Sequence, residues 1–255
     1  MAKGVQKTLG DQYVVRLAMR YQSPSISSAI NELFEENVSE LTVLPLFPQY
    51  ASASTGSVIE EVLKEVSTEG AIPPMRIINS FYDNPAMIGV FARNARKYDL
   101  ATYDHFIFSF HGLPERQLKN TGRNNRCKCD GKCCQVITNK NQFCYSAQCY
   151  ATAKAIQNEL NITDVMCSVS FQSRLGKDPW VQPYTDEVLK DLLDKGKKRV
   201  LVFSPAFVAD CLETTVEIEY EYREEFIEAG GLQLDLVASL NADADWINEV
   251  AELVK

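Results

Sequence analysis

From Gln12 onward, short apolar runs alternate with amphipathic stretches. Runs at 12–19 (QYVVRLAM), 41–47 (LTVLPLF), 75–80, 105–110, 165–170, 198–203 and 232–238 predict seven strands. Between them, helical spacing is clear. Ser23-Pro24 supplies an N-cap and first helical position, and Ile26, Ala29, Ile30, Leu33 and Phe34 then fall on one face. Further helices are predicted at 57–67, 85–98, 146–160, 184–195, 212–229 and 243–254. Regular β-α alternation implies an α/β fold with parallel sheets flanked by helices on both faces. The long connection after the fourth strand suggests two halves, 1–98 and 99–255, the second holding a cysteine-rich loop at 120–149. VLPLFPQYASAST and VFSPAFVADCLET share a strand, a proline, an aromatic and a polar turn, a faint sign of duplication.

The run HFIFSFHGLP, His105 to Pro114, is the most informative of these. Phe106 to Phe110 reads as a strand buried on both faces, and Gly112 permits a sharp exit turn. Ligands of parallel α/β sheets sit at the carboxyl ends of the strands, where His111 stands. A histidine there can equally cap the turn. The other histidine, His105, opens the strand and is expected at the surface.

Three more stretches carry candidate chemistry. In DCLETTVEIEYEYREE, Glu213, Glu217 and Glu221 recur every four residues, forming one ridge on a helix. A solvated acidic face is the plain reading. Glu213, however, follows its strand within a few residues, at the same sheet edge as His111, where the pair can pass protons or hold a divalent cation. SFQSRLGKDPW leaves another strand and carries Arg174, Lys177 and Trp180; Trp180 serves either as core packing or as a flat wall for an aromatic ligand. Arg20, in Met19-Arg20-Tyr21, is a surface cation or a partner for ligand carboxylates.

Composition narrows the class. With 255 residues, 45% hydrophobic and 24% charged, the chain is an ordinary globular one. A net charge of -8 offers no basic stripe for phosphates, so nucleic acid is excluded as the main partner. No apolar run reaches membrane-span length, and MAKGVQKTLG lacks an apolar signal core, giving a cytoplasmic expectation. Nothing opposes peripheral contact with a membrane surface.

Six of the eight cysteines fall between Cys127 and Cys149, with Cys167 and Cys211 outside. A cytosolic cluster of this kind reads as metal ligation before disulfides. Cys127, Cys133, Cys134 and Cys144 follow C-x5-C-C-x9-C, with Cys129 and Cys149 as spares. Four thiolates close either a zinc or an iron–sulfur site; redox-active or idle thiols are the remaining reading. Adjacent Cys133 and Cys134 crowd a single tetrahedral ion and favour a two-iron site.

Taken together, LPLFPQYASASTGS, SFHGLP, YSAQCYATAKAI, SFQSRLGKDPWVQPYTDEVL and SPAFVADCLETTVEI resemble the ferrochelatases, which insert ferrous iron into a porphyrin to make haem. The resemblance runs from about Met19 to the end. It implies two Rossmann-like, chelatase-type domains with a porphyrin cleft between them. It also implies that His111 binds metal and accepts protons with Glu213 as its catalytic partner, while Glu217 and Glu221 continue a metal- or proton-carrying ridge. Arg20, Tyr21 and Trp180 match the family's porphyrin-pocket residues. Some bacterial members carry a 2Fe–2S cluster in a cysteine-rich internal segment, which implies a cluster here. The family's opening strand, its Gly-Thr-Pro-like turn and the following lip have no counterpart in the chain. A non-catalytic porphyrin- or iron–sulfur-binding protein is therefore the rival expectation.

Overall fold

The computed structural model of the protein describes residues 1–119, 127, 129 and 131–255. Part of the cysteine-rich loop (120–126, 128 and 130) thus lies outside the described residues. The chain forms two compact units, Met1–Phe81 with Ala242–Lys255, and Tyr82–Asn241.

The first unit contains helix α1 (Ala2–Leu9), α2 (Ile26–Glu35), strand β1 (Leu41–Val43), α3 (Ser57–Val66), β2 (Met75–Ile77) and the chain's final helix, Ala244–Val254. Ser25 Oγ caps α2 by accepting from the Ser28 N–H at 3.0 Å. Strands β1 and β2 pair in parallel, with Leu41 opposite Met75. Only three residues of the expected 41–47 run join the ladder. Pro45, which lacks an N–H to donate, stands just past its end. Ile26, Ile30, Leu41, Val62 and Val66 form the core of this unit. Before α3, residues Ser52–Gly56 wind as one π-helical turn.

The predicted first strand, 12–19, is not one. Apart from a single bridge between Met19 and Ser25, the segment pairs with nothing in a sheet. Its polar backbone is met by a side chain instead: Gln6 Oε1 accepts from the Val15 N–H at 2.8 Å, and Gln6 Nε2 donates to the Tyr13 carbonyl at 2.8 Å. Alternating apolar residues suit a strand, but a strand needs a neighbour to satisfy its N–H and C=O groups. The final helix belongs to this unit because it packs on α1 and on the strand ends. Trp246 meets Phe81 with ring centroids 5.5 Å apart, and Arg76 donates to the Leu253 carbonyl at 3.1 Å.

The second unit runs α4 (Pro85–Ala95), β3 (His105–His111), α5 (Glu115–Lys119), α6 (Tyr145–Glu159), β4 (Cys167–Gln172), α7 (Thr185–Asp194), β5 (Arg199–Phe203), a π-helix (Leu212–Tyr222) continued by α8 (Arg223–Glu228), and β6 (Gln233–Leu236). Its four strands lie in the order β4-β3-β5-β6, all parallel. Central β3 is buried at every position except its last, His111, as a continuous apolar run requires of a strand covered on both faces. Ile107, Leu189, Leu192, Val200, Val202, Ile218 and Leu234 make the core that seats α7 and the π-helix. Helix α4, read in the sequence as part of the first half, packs here, where Asn94 donates to the Ala238 carbonyl at 3.0 Å.

His105 is not at the surface. It is buried, and its Nε2 lies 2.7 Å from Ser168 Oγ on β4. Burial, reinforced by Lys197 and Lys195, pushes its pKa down to about 4.

Candidate active site

His111, the acidic stretch, Trp180 and the cysteines belong to the second unit, whereas Arg20 and Tyr21 belong to the first. His111 ends β3 at the carboxyl edge of the sheet. Its Nδ1 sits 2.6 Å from the carbonyl oxygen of Gly112, an acceptor only, so Nδ1 donates there and, in the neutral imidazole, the lone pair lies on Nε2. The imidazole is wedged between Trp180 and Phe207, with centroids 6.4 and 6.3 Å away. Trp180 is held there by an antiparallel bridge to Pro114 and by the Val181 N–H on the Leu113 carbonyl at 2.9 Å. Gly112 is glycine for lack of room: a Cβ would stand 2.9 Å from the Gln172 carbonyl and 3.0 Å from Trp180 Cε3. Trp180 is thus nearly buried, yet its Nε1–H is without a hydrogen-bond partner among the described residues.

The acidic stretch follows β5 at the same edge. It winds with i→i+5 hydrogen bonds over Leu212–Tyr222, a long π-helix, a form enriched at functional sites. The wider turn keeps residues four apart on common stripes. Thr214 and Ile218 are buried, Glu213 and Glu217 flank them half-buried, and Leu212, Val216 and Tyr220 face outward. Glu221 is exposed. Burial, followed by its hydrogen bond to Glu213, pushes the Cys211 thiol up to about 11.

Glu217 is the most firmly held member of the ridge. Oε1 accepts from the Ser173 N–H at 2.6 Å and the Tyr222 hydroxyl at 3.1 Å. Oε2 accepts from Ser173 Oγ at 2.5 Å and Gln172 Nε2 at 3.0 Å. All four partners are donors, the complement an ionised carboxylate takes. Ser173 reaches it with both backbone and side chain by adopting φ 62°, a left-handed conformation uncommon outside glycine. Burial, followed by the charge of Glu217, drives the Tyr222 hydroxyl well above its ordinary pKa.

Gln172, Ser173, Cys211 and Tyr222 did not stand out in the sequence. Gln172 and Ser173 sit inside SFQSRLGKDPW, but are uncharged and carry no signal beside Arg174 and Lys177. Arg174 turns away, stacking 4.1 Å over the Tyr184 ring and pairing with Asp186 at 3.5 Å.

In the first unit, Arg20 is already paired. It donates to Ser57 Oγ at 2.9 Å, meets Glu61 at 3.2 Å and lies 4.7 Å from the centroid of the Tyr21 ring. Tyr21 is 80% exposed, an open aromatic face backed by a cation.

The cysteines converge only in part as expected. The thiols of Cys134 and Cys144 hydrogen-bond to Cys127, and with the Cys129 N–H at 3.4 Å they pull the Cys127 pKa down. Cys129 Sγ is 3.8 Å from Cys127 Sγ, and Cys133 Sγ is 3.8 Å from Cys134 Sγ. Cys133 is exposed, whereas Cys127, Cys134 and Cys144 are buried. Cys149 turns toward Tyr145. Among the described residues, no group of three or more His, Cys, Asp or Glu side chains is arranged to hold a metal ion.

The second unit thus sets an imidazole and a carboxylate ridge at one edge of a parallel sheet. Two solved structures share the fold. SirB from Bacillus subtilis with Fe3+ superimposes with a TM-score of 0.64 at 12% identity, covering 98% of this chain and 85% of that one. The sirohydrochlorin chelatase SirB from Bacillus subtilis subspecies spizizenii, in complex with cobalt, gives 0.60 at 10% identity, covering 92% and 76%.

The family follows from sequence: the ferrochelatase family model matches residues 1–255, and the chain belongs to that family. The ferrochelatase of Legionella pneumophila strain Philadelphia 1 is 42% identical over 250 residues, 98% of this chain and 74% of that protein. Those of Pseudomonas putida and Coxiella burnetii strain Dugway are 41% and 40% identical, the chain spanning 72% and 70% of their lengths. The chain is accordingly an enzyme of haem synthesis, a lyase of the metal-chelatase type with porphyrin and ferrous iron as substrates. A purely binding role is not favoured.

Proposed function

We propose that the chain inserts ferrous iron into protoporphyrin IX, with His111 as base and metal contact and Glu213, Glu217 and Glu221 as the path by which ions or protons move. The tautomer of His111 carries this reading: with Nδ1–H committed to Gly112, Nε2 is the atom left to act. Insertion releases two pyrrole protons for each ferrous ion taken up, so charge balances. A neutral imidazole is both a ligand for ferrous iron and a base near neutral pH. Half-buried Glu213 and Glu217, followed along the π-helix by exposed Glu221, supply a graded polar route. Trp180 and Phe207 flank the imidazole, while Arg20 and Tyr21 are the proposed porphyrin contacts of the first unit. Anaerobic mixing of the purified protein with ferrous iron and protoporphyrin should yield the absorption spectrum of haem. Porphyrin binding with no haem formed would leave only the binding-protein reading.

The thiol shell is proposed to hold a 2Fe–2S cluster, and the donor chemistry fits. Cys127, Cys134 and Cys144 are mutual neighbours in a buried setting, with Cys129 or Cys133 completing four. A thiol drawn toward its thiolate form by neighbouring donors is the species that ligates. A cysteine cluster that serves metal ligation belongs to a reducing compartment, and a cytoplasmic location is proposed on that ground. No helix among the described residues is long and apolar enough to cross a membrane.

A further inference from the structure

Gln172 is 1% exposed, yet its side chain makes four hydrogen bonds at the sheet edge. It ends β4, in register with His111 on β3. Its Oε1 accepts from Ser109 Oγ at 2.8 Å and from Ser204 Oγ at 3.0 Å. Its Nε2 donates to the Glu213 carbonyl at 2.7 Å and to Glu217 Oε2 at 3.0 Å. A primary amide has two N–H donors and two oxygen lone pairs, and all four are used. The orientation is forced as well. A carbonyl and a carboxylate only accept, so the NH2 end faces the π-helix and the oxygen faces the two serines. Ser109 lies on β3 and Ser204 directly follows β5, so one side chain ties three strand ends to two turns of the acidic ridge.

We propose that Gln172 is a positioning residue for metal insertion: it fixes the Glu217 carboxylate and the Glu213 main chain relative to the strand end that carries His111. The proposal rests on the reading of His111 and the ridge given above. Gln172 touches neither substrate in that reading; it acts through the glutamates. Its amide is suited to this, since it adds a donor to a carboxylate without adding charge, whereas a lysine there would neutralise the ridge.

The test separates positioning from plain structural support. Gln172→Met keeps length but removes both donors. Its kcat should fall about ten- to hundred-fold, the scale of an ångström-level misplacement, with the porphyrin KM little changed. Gln172→Glu sets two carboxylates against each other and should lower the thermal midpoint. The exchange Gln172→Glu with Glu217→Gln restores one amide–carboxylate pair. The midpoint should then recover in part, the Glu213 carbonyl still lacking its donor, while insertion does not, because the charge now sits on the strand and not on the ridge. Recovery of insertion together with the midpoint would reduce Gln172 to structural support and overturn the proposal. An inactive Glu217→Gln beside a fully active Gln172→Met would overturn this proposal alone. Parent-like activity in Glu217→Gln would overturn the ridge reading and the proposal with it.

Discussion

The hydroxyl of Tyr145 donates to the main-chain carbonyl of His111 at 2.8 Å. Tyr145 is buried and opens α6 directly after Cys144, so the strand end bearing the imidazole is pinned to the residue next to the thiol shell. Tyr145→Phe removes the donor and leaves a carbonyl without it. We expect a loss of about 1–3 kcal/mol in unfolding free energy by urea titration, together with slower insertion. A variant as stable as the parent would mean that another donor reaches His111.

His111→Ala should abolish haem formation while porphyrin binding, followed by fluorescence quenching, persists. Glu213→Gln preserves volume and polarity but removes charge. It should also lower turnover by on the order of a hundred-fold, the usual effect of losing a positioned acid–base group. Glu221 is exposed at the outer end of the ridge, so Glu221→Gln should be milder. Activity within a few-fold of the parent in both His111→Ala and Glu213→Gln would return the ridge to a solvated helix face.

Protein purified without oxygen should be red-brown from thiolate-to-iron charge transfer and should contain iron and acid-labile sulfide. Cys127→Ser removes the thiol that its neighbours converge on and should abolish the colour. One zinc and no sulfide per chain would replace the cluster with a structural zinc site.

Buried His105 makes stability sensitive to acid. Its pKa falls from the ordinary value near 6.5 to about 4 in the folded state, by burial first and then by Lys197 and Lys195. The unfolded chain therefore binds the proton more readily between those values. Stability is full above pH 6.5 and declines as pH drops toward 4, by at most roughly 3 kcal/mol from this residue. His105→Gln should flatten that part of the profile relative to the parent in urea titrations at pH 7, 5.5 and 4.5. Parallel profiles for the two proteins would remove His105 as the cause.

Much of the fold was legible because burial writes itself into residue type. The run from Phe106 to Phe110 is apolar at four of five positions, and only a strand covered on both faces needs that. Helices α2 and α6 are visible in their spacing, but the cap of α2 is Ser25 and not Ser23, and Cys144 at the start of α6 makes no side-chain cap hydrogen bond. The segment 12–19 misled because its pattern is local, whereas a strand exists only if a partner completes its hydrogen bonds. His105 misled because a polar residue at a strand's start looks solvated until Ser168, sixty-three positions away, comes to meet it.

At the site, the sequence by itself named the groups with intrinsic chemistry: His111, the glutamates at four-residue spacing, and the clustered thiols. Charge and nucleophilicity are properties of a side chain and need no partner to be read. The tertiary structure alone decided how each is held. Gly112 selects the tautomer of His111, π-helical winding sets the stripe on which Glu213 and Glu217 lie, and Gln172 joins strands separated by scores of residues. A neutral amide carries no chemical signature in a sequence. Its importance arises from four hydrogen bonds that form only when β3, β4 and β5 run out where the π-helix begins.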